Sequence, residues 1–224
     1  MISFLGPIMA VVFGVAIVLL YSKSKPLNLK LFLAFSGAFL LSTTIFELLP
    51  QVYIHLETKR IGVFIMGGIL LQILLEFYSK GAEHGHLHQH DSKDRFPWFL
   101  FISLAIHAFF EGFPLKDHHN IIIGVVIHKI PIAILITTFL LKSKLPKPQV
   151  VLFLIVFTLM TPLGSLAAEF LSISPTVIYS VNAVVIGMFF HISTIILFES
   201  SEGHHFNLNK ILMIIGAVVL AYFI

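Results

Sequence analysis

Two histidines and a glutamate occupy the stretches of this chain least suited to them. His107 and Glu111 are four residues apart in FISLAIHAFFEGF, so a helix puts both on one face. His128 follows in IIIGVVIHKIPIAILITTFLL, three residues before Pro131. Both stretches are apolar enough for a membrane interior, where an ionisable group costs about 3 kcal/mol or more unless it is paired or used. Two imidazoles and a carboxylate also form a donor set that suits a borderline metal such as zinc. The first reading is a metal site formed by His107, Glu111 and His128 within the bilayer. The alternative is a polar pair that stabilises helix packing.

The elements that must position these residues follow from composition. The chain has 224 residues, 58% of them hydrophobic and 11% charged. Soluble domains carry about 25% charged residues, so the composition is that of a membrane protein. Cysteine is absent, which excludes disulfides and thiolate metal sites. The net charge of +3 is small and its basic residues fall in short loops, a topology signal that argues against a nucleic-acid partner. The partner it implies is the lipid bilayer.

About 20 apolar residues cross a bilayer. Eight stretches qualify, at about 2–21, 31–50, 61–78, 97–114, 121–141, 149–171, 176–198 and 208–224. The first has no basic residue before it and no small-residue cleavage site, so it is expected to be a retained helix. Ten of the fourteen basic residues follow odd-numbered stretches and three follow even-numbered ones, with Lys129 inside the fifth. That asymmetry predicts cytoplasmic odd-to-even loops and two extracytoplasmic termini. The expected fold is an all-α membrane protein of eight transmembrane helices, a single domain over 1–224. A His-rich cytoplasmic loop at about 79–96 carries His84, His86, His88 and His90 on alternate residues. His204 and His205 lie in a second predicted cytoplasmic loop. Such tracts bind metal weakly and need no fold of their own.

Several other residues bear on a path for a cation. Lys129 adjoins His128 and is expected to face Glu111, another carboxylate or water, or to lose its proton, because an unpaired ammonium there is costly; the alternative is a side chain that snorkels to an interface. Pro131 and Pro162 free the carbonyls of Ile127 and Thr158, which in membrane helices can line a cavity. Glu47 and Glu169 fall toward the outer ends of their stretches, and Glu199 and Glu202 toward the cytoplasmic side. His191 is a titratable group in the seventh stretch. These five are candidate steps of a pathway, and each taken alone is an ordinary interfacial or packing residue. Gly67 and Gly68 predict close helix packing, within one chain or in a homodimer.

The motifs in order resemble the ZIP (zinc- and iron-regulated-transporter-like) metal transporters along the whole chain. HAFFEG, from His107 to Gly112, is similar to that family's HNxx(D/E)G, and HKIP, from His128 to Pro131, is similar to HE(I/F)P. GAFLLSTTIFELLP, from Gly37, resembles the second-helix motif, with Glu47 at a histidine position. TPLG, from Thr161, and GMFFHISTIILFE, from Gly187, resemble the sixth- and seventh-helix motifs. The resemblance implies uptake of a divalent transition metal toward the cytoplasm: Zn2+ first, with Fe2+, Mn2+ and Cd2+ as alternatives. It is carried as substrate and not as a cofactor, and the protein is not an enzyme. The resemblance also implies that the transport site maps to His107, Glu111 and His128. Family members often hold a second metal, and its ligand positions here are Ala108, Lys129 and Thr161. That pattern implies one metal, with the Lys129 ammonium in the place of the second.

Imidazole must be neutral to coordinate, so uptake is expected to weaken as external pH falls through about 6–7. Two rival functions stay open at this level. One is an intramembrane zinc-dependent hydrolase with Glu111 as general base, although no HExxH is present. The other is a metal sensor that binds without transport. Short loops and a lean chain fit the bacterial inner membrane.

Overall fold

Helices in lipid must satisfy their backbone polar groups internally, and they need no polar face toward the solvent. The computed structural model follows that logic over the residues it describes, 2–21, 29–79, 96–116, 119–170, 174–199 and 208–224. The helices are α1 (Ile2–Tyr21), α2 (Leu29–Thr43), α3 (Leu49–His55), α4 (Thr58–Ser79), α5 (Trp98–Glu111), α6 (His119–Lys142), α7 (Lys147–Phe170), α8 (Pro175–Glu199) and α9 (Leu208–Phe223). No strand occurs among the described residues.

A π-helical turn, Thr44–Leu48, joins α2 to α3, so the two form one interrupted span. Pro50 lacks the N–H that would bond the carbonyl of Phe46, which accounts for the loosened turn. The hydroxyls of Thr43 and Thr44 bond back to the carbonyl of Leu40, at 3.1 and 2.7 Å. A 3-10 turn, Phe113–Lys116, extends α5. Among the described residues, seven spans are long and apolar enough to cross a membrane, and the region of the eighth expected stretch forms the 16-residue helix α9.

The surface, unlike that of a soluble protein, is apolar. Large apolar side chains such as Phe13, Leu20, Val63, Leu70 and Phe77 are exposed, as a lipid-facing surface requires. Polar side chains are inside: Ser36, Thr43, Gln72, His107, Glu111, His128, Lys129, Asn182 and Ser193 are buried. α1 packs along α6, α5 along α7, α4 along α8 and α2 along α9. A buried cluster that includes Leu104, Ala108, Ile136, Phe153 and Ile192 fills the space beside the polar centre.

Two glycine contacts set these spacings. A Cβ on Gly112 or Gly164 would run into the backbone of the opposite helix, so α5 and α7 touch at the very turn that carries Glu111. Gly68 and Gly187 do the same for α4 and α8. Gly67, by contrast, has open space beside it. Of the two neighbouring glycines, Gly68 serves packing within the chain and Gly67 faces outward.

Candidate metal site

α5 presents His107 and Glu111 one helical turn apart, as their spacing requires, and both are buried. α6 supplies His128 and Lys129, each 2% exposed. α7 brings Thr161 and Ser165 against the same turn, also buried. α6 continues as a helix through Pro131, and α7 through Pro162.

The strongest contact in the centre is an ion pair. Lys129 Nζ donates to Glu111 Oε2 at 2.7 Å, with the two side chains 2% and 1% exposed. Thr161 Oγ1 adds a longer hydrogen bond to the same oxygen at 3.4 Å. The ammonium also stands 4.7 Å from the centre of the Phe157 ring, within cation–π range. Glu111 Oε1 is buried with no hydrogen-bond partner. A carboxylate oxygen left in that condition normally costs stability, so it invites explanation by a use. Of the partners open to Lys129, the structure supplies Glu111, and the cost of two buried charges is lowered by their contact.

His107 is oriented from another helix. Its Nδ1 donates to Gln72 Oε1 of α4 at 3.2 Å. A proton fixed on Nδ1 leaves Nε2 as the coordinating nitrogen, which is how outer partners set a ligand's tautomer in metal sites. The structure therefore joins Glu111 with Lys129 and Thr161, and His107 with Gln72. Among the described residues, no three His, Asp or Glu side chains stand together as a metal-holding group.

The outlying candidates fall into distinct places. Glu47, in the π-helical turn, accepts from Asn120 Nδ2 of α6 at 3.1 Å. His191 Nε2 of α8 donates to Glu76 Oε2 of α4 at 2.6 Å. Glu169 is exposed near the end of α7. Glu199 is the last residue of α8. Ala108 is fully buried in the apolar cluster beside the site. Glu202 and the loop histidines His84, His86, His88, His90, His204 and His205 lie outside the described residues.

Sequence reasoning missed three partners: Gln72 for His107, Glu76 for His191 and Asn120 for Glu47. A signal existed for two of them. Gln72 and Glu76 are the amide and the acid of an otherwise apolar stretch, and they are four residues apart. A shared face toward the bundle was the economical reading.

A protein-family model described as ZIP Zinc transporter matches residues 79–223, well over half of the chain. The matched region contains every residue of the Glu111–Lys129–Thr161 cluster. No curated protein matches the chain.

Proposed function

The chain belongs to the ZIP zinc transporter family, whose members are metal transporters and not enzymes, and from that premise we propose that it carries Zn2+ inward through His107, Glu111 and His128. It is a multi-pass helical membrane protein that takes the metal ion as substrate. The proposed topology has eight crossings, with α9 as the eighth and both termini extracytoplasmic. The cationic residues support it, since ten follow odd-numbered spans against three that follow even-numbered ones. The single domain carries its His-rich loop on the cytoplasmic face. A bacterial inner membrane suits such a chain. The outward-facing Gly67 gives α4 a smooth strip on which a second copy could pack as a homodimer.

The observation that carries the reading is the Glu111 carboxylate. It is sealed from solvent, one oxygen is held by Lys129, and the other has no hydrogen-bond partner. A cation arriving at Oε1 finds a negative group already dehydrated. His107, oriented by Gln72, and His128 on the next helix then supply the imidazole nitrogens. Lys129 keeps one fixed positive charge beside the carboxylate. The site therefore accepts one divalent ion, and the second-metal position stays filled by the ammonium. The modest donor count favours release as well as binding, which transport requires.

Hydrolysis has no support from the family, whose members are transporters and not enzymes. The test is radioactive zinc uptake into sealed proteoliposomes, comparing wild type with His107→Ala. The expected result is saturable uptake that the substitution abolishes while folded protein is still recovered. Wild-type uptake by the variant removes His107 from the site.

A further inference from the structure

The buried centre accounts for one acid–base pair, and a second is left over. His191 Nε2 and Glu76 Oε2 are 2.6 Å apart across the α4–α8 contact, 14% and 21% exposed. Glu76 lies four residues after Gln72, the side chain that orients His107. Gln72 and Glu76 therefore share one face of α4, with about 6 Å of axial rise between them. The result is a short polar ladder: His107, Gln72, Glu76, His191. It starts at the proposed transport site and runs toward the C-terminus of α4, the end that leads into the His-rich segment 80–95.

The helices are built to hold this ladder. Gly68 is one turn before Gln72, and Gly187 is one turn before His191. Both glycines let the α4 and α8 backbones touch. The close crossing fixes the rotation of each helix just before the polar pair, so His191 and Glu76 meet rather than point into lipid. A plain packing bond would do as well nearer the sealed centre. Here the pair is partly open, at 14% and 21% exposure, where the Glu111–Lys129 pair is closed.

We infer that Glu76 and His191 form a second, transient divalent-metal station, which receives the ion after the His107–Glu111–His128 site. The proposal rests on that transport reading and extends its path. Imidazole nitrogen and carboxylate oxygen are zinc donors, and tetrahedral ligation at zinc sets them about 3.3 Å apart. The pair needs to open by less than an ångström to admit the ion, the Nε2 proton leaving to water or giving way to the Nδ1–H tautomer, with water completing the shell. Two protein donors bind weakly, as an intermediate step must if the ion is to leave.

The natural absence of cysteine gives a clean test. Glu76→Cys places a lone thiol on the station, and Cd2+ protection of that thiol from a small methanethiosulfonate reagent reads coordination there and nowhere else. In purified full-length protein, His191→Gln on the Glu76→Cys background is expected to raise the Cd2+ needed for protection about tenfold or more, since even outer-shell losses cost that much. The glutamine keeps a hydrogen-bonding group, so the helix contact survives. Equal protection with and without His191 overturns the station. In sealed proteoliposomes, Glu76→Gln and His191→Gln are each expected to slow zinc uptake several-fold. Protection combined with unchanged uptake by both variants overturns the station's place on the path. Wild-type uptake by His107→Ala is a different failure: it removes the transport site and leaves the thiol result standing, so the proposal falls with its premise and not with its own geometry.

Discussion

Two acid–base pairs join helices among the described residues, Glu111–Lys129 and Glu76–His191, and they differ in burial and in kind. Glu111 and Lys129 meet at 2.7 Å and are sealed, at 1% and 2% exposure. Glu76 and His191 meet at 2.6 Å with 21% and 14% exposure. Their separations are nearly the same. What differs is the cost of letting go. The sealed pair cannot separate without stranding a charge in a low-dielectric interior, which costs several times what an exposed pair is worth. It therefore fixes the charge of the centre. The open pair can part and rejoin with water taking either place. A lysine, which can donate but not ligate while protonated, suits the first role, and a histidine, which can serve as donor or ligand, suits the second.

The comparison breaks most visibly at Glu111. Glu111→Ala leaves the Lys129 ammonium buried alone, and about 3–5 kcal/mol of stability is expected to go with it. Thermal unfolding in detergent measures this, and a shift no larger than that of a surface variant would mean that the ammonium finds water. Adding Lys129→Met to Glu111→Gln is expected to restore the stability and not the uptake, because the charges leave together while the ligand stays missing.

Lys129→Met alone probes the same pair from the other side. It strands a carboxylate that a divalent ion can neutralise. Stability is then expected to become strongly zinc-dependent, rising by RT ln(1 + [Zn]/Kd), which is about 2.7 kcal/mol at a hundredfold excess over Kd. Wild type, already neutralised by its own ammonium, is expected to gain less. Equal zinc-dependent shifts in the two proteins would separate Lys129 from the metal position.

How much of this was legible beforehand follows from the physics of apolar helices. The spans were legible because about 20 apolar residues are needed to cross a bilayer whatever the tertiary fold. The Lys129–Glu111 contact was legible because a buried ammonium needs a partner and Glu111 was at hand in the preceding stretch. The Glu76–His191 and His107–Gln72 contacts were legible only in part. In α4, Gln72 and Glu76 mark the face that turns inward, because the rest of the helix is apolar on nearly every side. Which residues they meet was not legible, since that depends on the Gly68 and Gly187 contacts and on partner helices distant in sequence. The π-helical turn at Thr44–Leu48 was hidden for a related reason. Pro50 announced a disturbance, but hydroxyl bonds from Thr43 and Thr44 decide how the backbone absorbs it.

The glycine crossing separates the two pairs by position rather than by charge. Gly187→Ala puts a methyl group against the backbone of α4 at Ile65 and Ile69. α4 and α8 must then move apart, at a cost of about 1–3 kcal/mol for an overpacked contact. The open pair, one turn away, is expected to lose its contact, and Cd2+ protection of a thiol at position 76 to weaken. The sealed pair hangs on α5 and α6 and is expected to keep its zinc affinity. Loss of zinc binding at both places would show that the two regions are one mechanical unit.

The smallest effect is the most discriminating. Glu76→Gln replaces the carboxylate with an amide that still reaches His191, so the helix contact is retained. The exchange turns a charged hydrogen bond, worth about 1.5–3 kcal/mol, into a neutral one, worth about 0.5–1.5 kcal/mol, and the unfolding temperature is expected to move by no more than that difference permits. The same substitution is expected to slow zinc uptake several-fold, because an amide oxygen is a poorer zinc donor than a carboxylate. A large stability loss would instead make Glu76 a structural twin of Glu111, and the difference in exposure between the two pairs would then carry no functional meaning. A small stability change with slowed uptake is the pattern that a packing bond cannot produce, since a packing bond affects transport only by way of the fold.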